Sequence, residues 1–409
     1  MKTAKPAASY FYSRRSFKQR KHIPAVEITM TSSIGVIGLG SIGKNLALNI
    51  QEKEKLHVFN KTQSKVVALE EQSENVYGHE SIGEMVDTMK WPRVIFTALP
   101  HGQATDDTVR VLLKHMKPSD TIIDCSNEHY RVSRTRGSRC KAHKVNYLGT
   151  GLSGGAEGAR QGPALMLGGT RYAYEMNKSF LSKIAKRHTY MGEDYGIGHF
   201  TKMVHNGVEY GMLQAVADLY AYCDHDDERM QKSLEQAIGT DMDGYIVRSA
   251  LKVLENYDMK KISDIAEMNS TGLWCSHFGL EYEIPTPVIN SAVNTRITSK
   301  YVKSVRTTQS ATSSFKPSIA MNTLRFTFAA SLLEGYSLMD TRNASRVDVV
   351  NAWSRGTIIE CPLLVNDLHP ILDQPLPVSS PHLPLPTPPY VKLSVVAFAF
   401  TPSTTRRTT

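Results

Sequence analysis

From Ser33 onward, short apolar runs rich in β-branched residues alternate with longer stretches of helical spacing. The runs Ile34–Ile37, Leu56–Phe59, Arg93–Ala98, Thr121–Asp124 and Val145–Leu148 are of strand length. Such alternation predicts a parallel sheet with crossover helices, because parallel neighbours need a long connection back to the same edge. From about Gly198 the pattern changes, and segments such as His199–Tyr222 and Asn322–Leu338 keep apolar residues at helical intervals over many turns. These predict an all-α second part. A third change comes near the end, where ten of the nineteen prolines fall in residues 362–409. Pro fixes φ and lacks an amide donor, so neither helix nor central strand runs through that spacing. The expectation is an α/β part followed by an all-α part, with an extended or disordered tail and no internal repeat.

Composition narrows this little. Of the 409 residues, 41% are hydrophobic and 21% charged, as in ordinary globular proteins. The net charge of +9 is concentrated in residues 1–30, which hold seven Lys or Arg against Glu27 alone. What remains is too weakly basic for a phosphate-tracking surface, so no nucleic-acid partner is expected. The five cysteines, Cys125, Cys140, Cys223, Cys275 and Cys361, form no CxxC pair and suggest neither a zinc site nor a disulfide framework. They fit a reducing compartment, the cytoplasm. No apolar run approaches the roughly twenty residues that span a bilayer, so no membrane embedding is expected. Residues 1–30 have the basic, acid-poor character of a transit peptide; an upstream start is the reading preferred here, because Met30 directly precedes the first strand.

The first candidate site is Gly38-Leu39-Gly40-Ser41-Ile42-Gly43, between the strand Ile34–Ile37 and a helix expected to begin near Lys44. Gly38 permits a tight turn, Gly40 lets a pyrophosphate reach the backbone, and Gly43 lets the helix pack closely. This context makes residues 33–197 a Rossmann-like, doubly wound dinucleotide-binding domain. The second strand ends in Asn60-Lys61-Thr62, with no carboxylate to hold a ribose hydroxyl and repel a 2′-phosphate. A cation and two short polar residues there favour NADP.

Lys202, His205, Asn206, Glu209 and Tyr210 have offsets of 0, 3, 4, 7 and 8, which place all five along one helix face. Flanked by Met203, Val204 and Met212, they read as a site wall on a helical domain spanning 198–360. Partial burial would lower the Lys pKa and raise the Glu pKa, bringing a base and an acid toward neutral working values. Two further segments follow strands: the glycine-dense Gly151–Pro163, read as a turn whose amides, with Ser153, would hold a carboxylate, and Asp124–His129. Ligands gather at such strand ends.

These segments resemble 6-phosphogluconate dehydrogenase. The resemblance runs from about Ile34 to Gly169 and through His199–Gly211, then more faintly to Ile359, and is densest in Gly149–Arg160 and Gly198–Gly211. It implies oxidation of C3 of 6-phosphogluconate by NADP, loss of carbon dioxide, and protonation of the enediol to ribulose 5-phosphate, with no metal. It further implies that Lys202 is the general base and Glu209 the acid. Asn127, Ser153, Gly154, Gly155, His205 and Asn206 would hold substrate, and Tyr210 and Arg296 its phosphate. A homodimer is implied as well.

The chain departs from the family's pattern in three places, one of them Ala292-Val293-Asn294-Thr295-Arg296, which keeps the arginine but little else of its neighbourhood. A Lys-Gly-Thr-Gly-Lys-Trp loop reads Asn269-Ser270-Thr271-Gly272-Leu273-Trp274 here, exchanging a phosphate-binding lysine for Asn269. The family's C-terminal Arg and His, which reach the partner's site, have no match, and residues 361–409 form the Pro-rich segment instead. Two other readings accompany these departures: a noncatalytic relic that binds dinucleotide only, and a related β-hydroxyacid dehydrogenase.

Overall fold

The computed structural model describes residues 32–301 and 315–368. The basic extension up to residue 31 and the Pro-rich stretch from 369 lie outside the described residues. The first part holds β1 (Ser33–Ile37), α1 (Ser41–Gln51), β2 (Leu56–Phe59), α2 (Gln63–Glu70), β3 (Val76–Gly78), α3 (Ile82–Thr88), β4 (Arg93–Thr97), α4 (Gln103–His115), β5 (Thr121–Asp124), α5 (Tyr130–Ala142), β6 (Asn146–Ser153), α6 (Gly155–Gln161), β7 (Ala164–Gly169), α7 (Arg171–Ile184) and β8 (Arg187–Gly192). The second holds α8 (Ile197–Tyr222), α9 (Asp227–Glu235), α10 (Tyr245–Asn256), α11 (Ser270–Glu281), α12 (Pro287–Thr298), α13 (Pro317–Asp340) and α14 (Arg346–Trp353).

The eight strands form one sheet in the order β3-β2-β1-β4-β5-β6-β7-β8. Successive residues point to opposite faces, and both faces are apolar: Val36, Phe96, Ile123 and Leu148 enter one core, and Ile37, Ile95, Ile122 and Tyr147 the other. That is a doubly wound sheet, with its order reversing between β1 and β4. Three strands were not foreseen: β3, β7 and β8. The sheet is also not wholly parallel, because β6 and β7 pair antiparallel. The glycine-dense segment read as a turn is the cause. Its first residues complete β6, which continues past Leu148 to Ser153, and after Gly154 the seven residues Gly155–Gln161 form α6. Such a short connection returns the chain beside β6 in the opposite direction.

In the second part, α8 is the central element, with α11, α12 and α13 packed around it. Its first twelve residues, Ile197–Val208, are all buried. Phe328, Leu332, Tyr336 and fully buried Trp353 close the surrounding core. Thr170, Asp226 and Ser345 start α7, α9 and α14 by accepting a backbone N–H. The expected boundary of the tail is corrected: Cys361, Leu363 and Leu364 are buried in the helical core, and Leu364–Leu368 form a helical turn. These apolar residues precede the dense prolines and retain their amide donors. No helix among the described residues is long and apolar enough to cross a membrane.

Candidate functional site

The glycine motif opens directly into α1, which begins at Ser41, not near Lys44. Gly38 has φ +96°, and a Cβ there would lie 2.5 Å from the Ala98 carbonyl oxygen. A Cβ on Gly43 would lie 1.8 Å from the Gly38 oxygen, whereas one on Gly40 would meet nothing within 4 Å. Turn and packing therefore consume the outer glycines and leave the middle one open at a helix N-terminus, where an anion is favoured. Asn60 is committed to the loop: its Oδ1 accepts from the Leu39 N–H at 2.9 Å and its Nδ2 donates to the Thr62 carbonyl at 3.1 Å. Lys61 and Thr62 are exposed beside it. A cavity of about 450 Å³ between α1 and α2 is lined by Gly40, Ser41, Lys44, Asn45, Ser64 and Lys65, among others. The sequence reading missed Lys44 and Lys65; their spacing from the motif, one turn into each helix, was the available signal.

Across the crevice, β6 carries glycines because α8 lies against it. A Cβ on Gly151 would come within 2.4 Å of Lys202 Cβ. Lys202 is 7% exposed, and among the described residues its Nζ has no hydrogen-bond partner. Burial lowers its pKa to about 8, with Glu209 partly opposing the shift. Burial raises the Glu209 carboxyl above its usual range, and Lys202 and Arg296 partly offset this. The first twelve residues of the helix are buried, and along the polar stripe only Glu209 is partly exposed.

The remaining wall residues form a chain of hydrogen bonds. Asn206 Nδ2 donates to Thr271 Oγ1 at 2.6 Å, so its Oδ1 faces His205 Nδ1 at 3.1 Å as an acceptor. The His205 proton is thereby placed on Nδ1, and Nε2 accepts from the Ser153 hydroxyl at 3.1 Å. Burial, then the neighbouring Lys202, holds the His205 pKa well below normal, with the Asn206 bond opposing, so the ring is neutral. Thr271 also donates to Asn269 Oδ1, which accepts from the Tyr210 hydroxyl at 3.1 Å. The Arg296 guanidinium lies 3.8 Å from the Tyr210 ring centre.

Ser153, Lys202, His205, Asn206, Glu209, Tyr210 and Arg296 are thus brought together. Gly154 starts α6 with φ +110°, while a Cβ on Gly155 would meet nothing within 4 Å. Asn127 stands exposed beyond β5, without a side-chain hydrogen bond among the described residues. Thr271 and Trp274 were not foreseen as site residues, because only the packing of α11 against α8 brings them in. Trp274 meets the rings of His101 and His129 edge-on at 5.4 and 5.1 Å.

A family model described as the NAD binding domain of 6-phosphogluconate dehydrogenase matches residues 33–192, and one for the C-terminal domain of the same enzyme matches 198–383. The NADP(+)-dependent, decarboxylating 6-phosphogluconate dehydrogenase of Bacillus subtilis is 35% identical over 287 residues, covering 65% of this chain and 61% of the relative. The decarboxylating 6-phosphogluconate dehydrogenase of Homo sapiens is 35% identical over 286 residues, covering 65% and 59%. The chain thus spans about three fifths of the length of these curated relatives. The solved Plasmodium falciparum 6-phosphogluconate dehydrogenase, described with NADP+ as cofactor and 6-phosphogluconate as substrate, matches with a TM-score of 0.73 at 28% identity, covering 81% of this chain and 79% of that one. A Mycobacterium tuberculosis 3-hydroxyisobutyrate dehydrogenase shares the fold, with a TM-score of 0.56 at 20% identity over 72% of this chain and 100% of that one.

Proposed function

The chain belongs to the 6-phosphogluconate dehydrogenase family, and we propose on that basis that it oxidises and decarboxylates 6-phosphogluconate with NADP. The observation that carries the reading is the pair on α8: Lys202, buried and unpaired with a pKa of about 8, and Glu209, raised by burial on the same face. The open backbone at Gly40 and the cations Lys61, Lys44 and Lys65 fit a dinucleotide bearing a 2′-phosphate. Bound there, NADP supplies the hydride acceptor.

Neutral Lys202 takes the C3 hydroxyl proton as C3 gives up its hydride, leaving a β-keto acid and a lysine ammonium. That ammonium polarises the new carbonyl, and the C1–C2 bond breaks with release of carbon dioxide and an enediol. Glu209, its carboxyl pKa raised by burial, is the group placed to donate a proton to the carbon that becomes C1 of ribulose 5-phosphate. Ser153, His205 and Asn206 hold hydroxyl and carboxylate oxygens, with Asn127, Gly154 and Gly155 completing the cradle; Tyr210 and Arg296 take the phosphate. The cofactor belongs to residues 33–197 and the substrate wall to 198–360.

A cytoplasmic homodimer is the assembly proposed. The five buried, unpaired cysteines fit a reducing compartment. Exposed Tyr257, Leu280 and Tyr301 on the helical part fit a surface that a second copy covers. The test is NADPH formation by the purified full chain with 6-phosphogluconate and NADP, beside an NAD control. NADP-dependent turnover is expected; its absence in folded protein that binds NADP would overturn the reading.

A further inference from the structure

Glu128 lies between exposed Asn127 and half-buried His129, yet is itself only 3% exposed. Three N–H groups from three places converge on its carboxylate. Oε2 accepts from the Gly102 backbone at 2.8 Å and from Arg136 at 2.6 Å, and Oε1 accepts from the His129 backbone at 2.8 Å. Gly102 precedes α4 and His129 precedes α5, helices of 13 residues each. One carboxylate therefore sits where two helix N-termini meet, at the favourable end of both dipoles. It also supplies the acceptor that Gly102, lacking a side chain, cannot.

Arg136 extends the connection. Fully buried, it donates to Asp106 at 2.6 Å, Asp124 at 3.1 Å and the Gly102 carbonyl at 3.1 Å. Asp124 in turn accepts from the Tyr147 hydroxyl of β6 at 2.7 Å. The loop after β4 and the loop after β5 leave paired strands of the sheet, and the charged groups join them a second time beyond the strand ends. Those two loops carry His101 and His129, the two rings that meet Trp274 of α11. One turn earlier on α11 stands Thr271, the partner of Asn206.

We propose that Glu128 is a positioning residue. By clamping the loop of His101 to the loop of Asn127 and His129, it sets the grip on Trp274, and through α11 the placement of Thr271, Asn206 and His205. The chemistry it serves is that of the proposed dehydrogenase reaction, on which the kinetic part of the test rests.

Glu128→Gln keeps the side-chain size but leaves one acceptor oxygen for three donors. In the full chain, kcat should fall about tenfold, in line with the cost of small misplacements, while the affinity for NADP stays within about twofold. Trp274→Phe should show a similar defect, and the double variant should be little worse than the poorer single variant, because both break one connection. A purely structural role would lower thermal stability and leave kcat per folded site unchanged. Additive defects, or an unchanged kcat, would overturn the proposal. Hydrogen exchange separates its failure from that of the proposed activity: Glu128→Gln should speed exchange in the first turns of α11, distant in sequence from the substitution. Unchanged exchange there overturns the clamp whether or not the wild-type chain turns over.

Discussion

Two clusters of buried charge flank the start of α8, and they are built on opposite plans. Around Arg136, three carboxylates converge on one guanidinium; burial opposes the charge, but Asp124 and its neighbours hold the Arg136 pKa above normal. Burial likewise works to raise Asp124, and it is overcome by His199, Arg136 and the hydrogen bonds from Ser126 and Tyr147. Around Lys202, burial is only partly compensated, by Glu209. Its amine has no hydrogen-bond partner among the described residues, and both it and Glu209 shift toward their neutral forms. Full pairing fixes a charge and builds a frame. Withheld pairing leaves a proton free to move near neutral pH.

The largest effect should come from Lys202→Met. Loss of the base should cut turnover about a thousandfold or more, with NADP affinity unchanged in equilibrium binding. Melting temperature should hold or rise, since an unpaired buried amine is replaced by an apolar side chain; a marked drop would mean that Lys202 is structural and would break the comparison. Arg136→Met should do the reverse. It strands buried carboxylates, so a loss of about 3–5 kcal/mol is expected in denaturant titration.

A pH profile sharpens the contrast at lower amplitude. Because protonated Lys202 cannot accept a proton, kcat/KM should fall about tenfold per unit as pH drops below its pKa of about 8. A flat profile there would remove the distinction between the clusters.

Glu334 is an intermediate case and should show the smallest effect. Its carboxylate takes the backbone N–H groups of Val288 and Ile289 at 2.9 and 3.0 Å, and burial, opposed by those bonds, raises its pKa to about 7. The folded state therefore holds a proton that the unfolded chain releases at lower pH, so this group's contribution to stability declines as pH rises from the ordinary carboxylate range toward 7. Glu334→Gln should change stability by about 1 kcal/mol and flatten that slope in melts across pH.

The alternation of strands and helices was readable because β1, β2, β4 and β5 are each dominated by β-branched or large apolar residues and are separated by stretches of helical spacing. What escaped were elements that end in glycine, such as Ala164–Gly169 and Arg187–Gly192. The antiparallel return at β7 escaped with them, since glycine density signals a turn unless pairing with a distant strand is known. The wall on α8 was legible from spacing alone. Its partners were not: Ser153 and Thr271 meet it from 52 and 65 residues away, and only the tertiary fold makes those pairings. Glu128 lies in the strand-end segment Asp124–His129 and Arg136 in a polar helix, and in neither does the local sequence mark a side chain that will be wholly enclosed.

The 26-residue length of α8 has a mechanical consequence. Its first turn is embedded in the sheet, where Gly198 sits against the backbone of Gly149 and Met166, and its later turns lie against α11 and α13 at Gly207 and Gly211. A continuous rod seated in both parts acts as a beam that resists flexing along this seam. Elsewhere α11 is held to the β4 and β5 loops by Trp274 against His101 and His129, and to the start of α5 by the Tyr130–Phe278 ring contact and the Arg131–Glu281 ion pair. The beam keeps the face carrying Lys202 and Glu209 in register with the sheet, and these contacts hold α11 to the same frame.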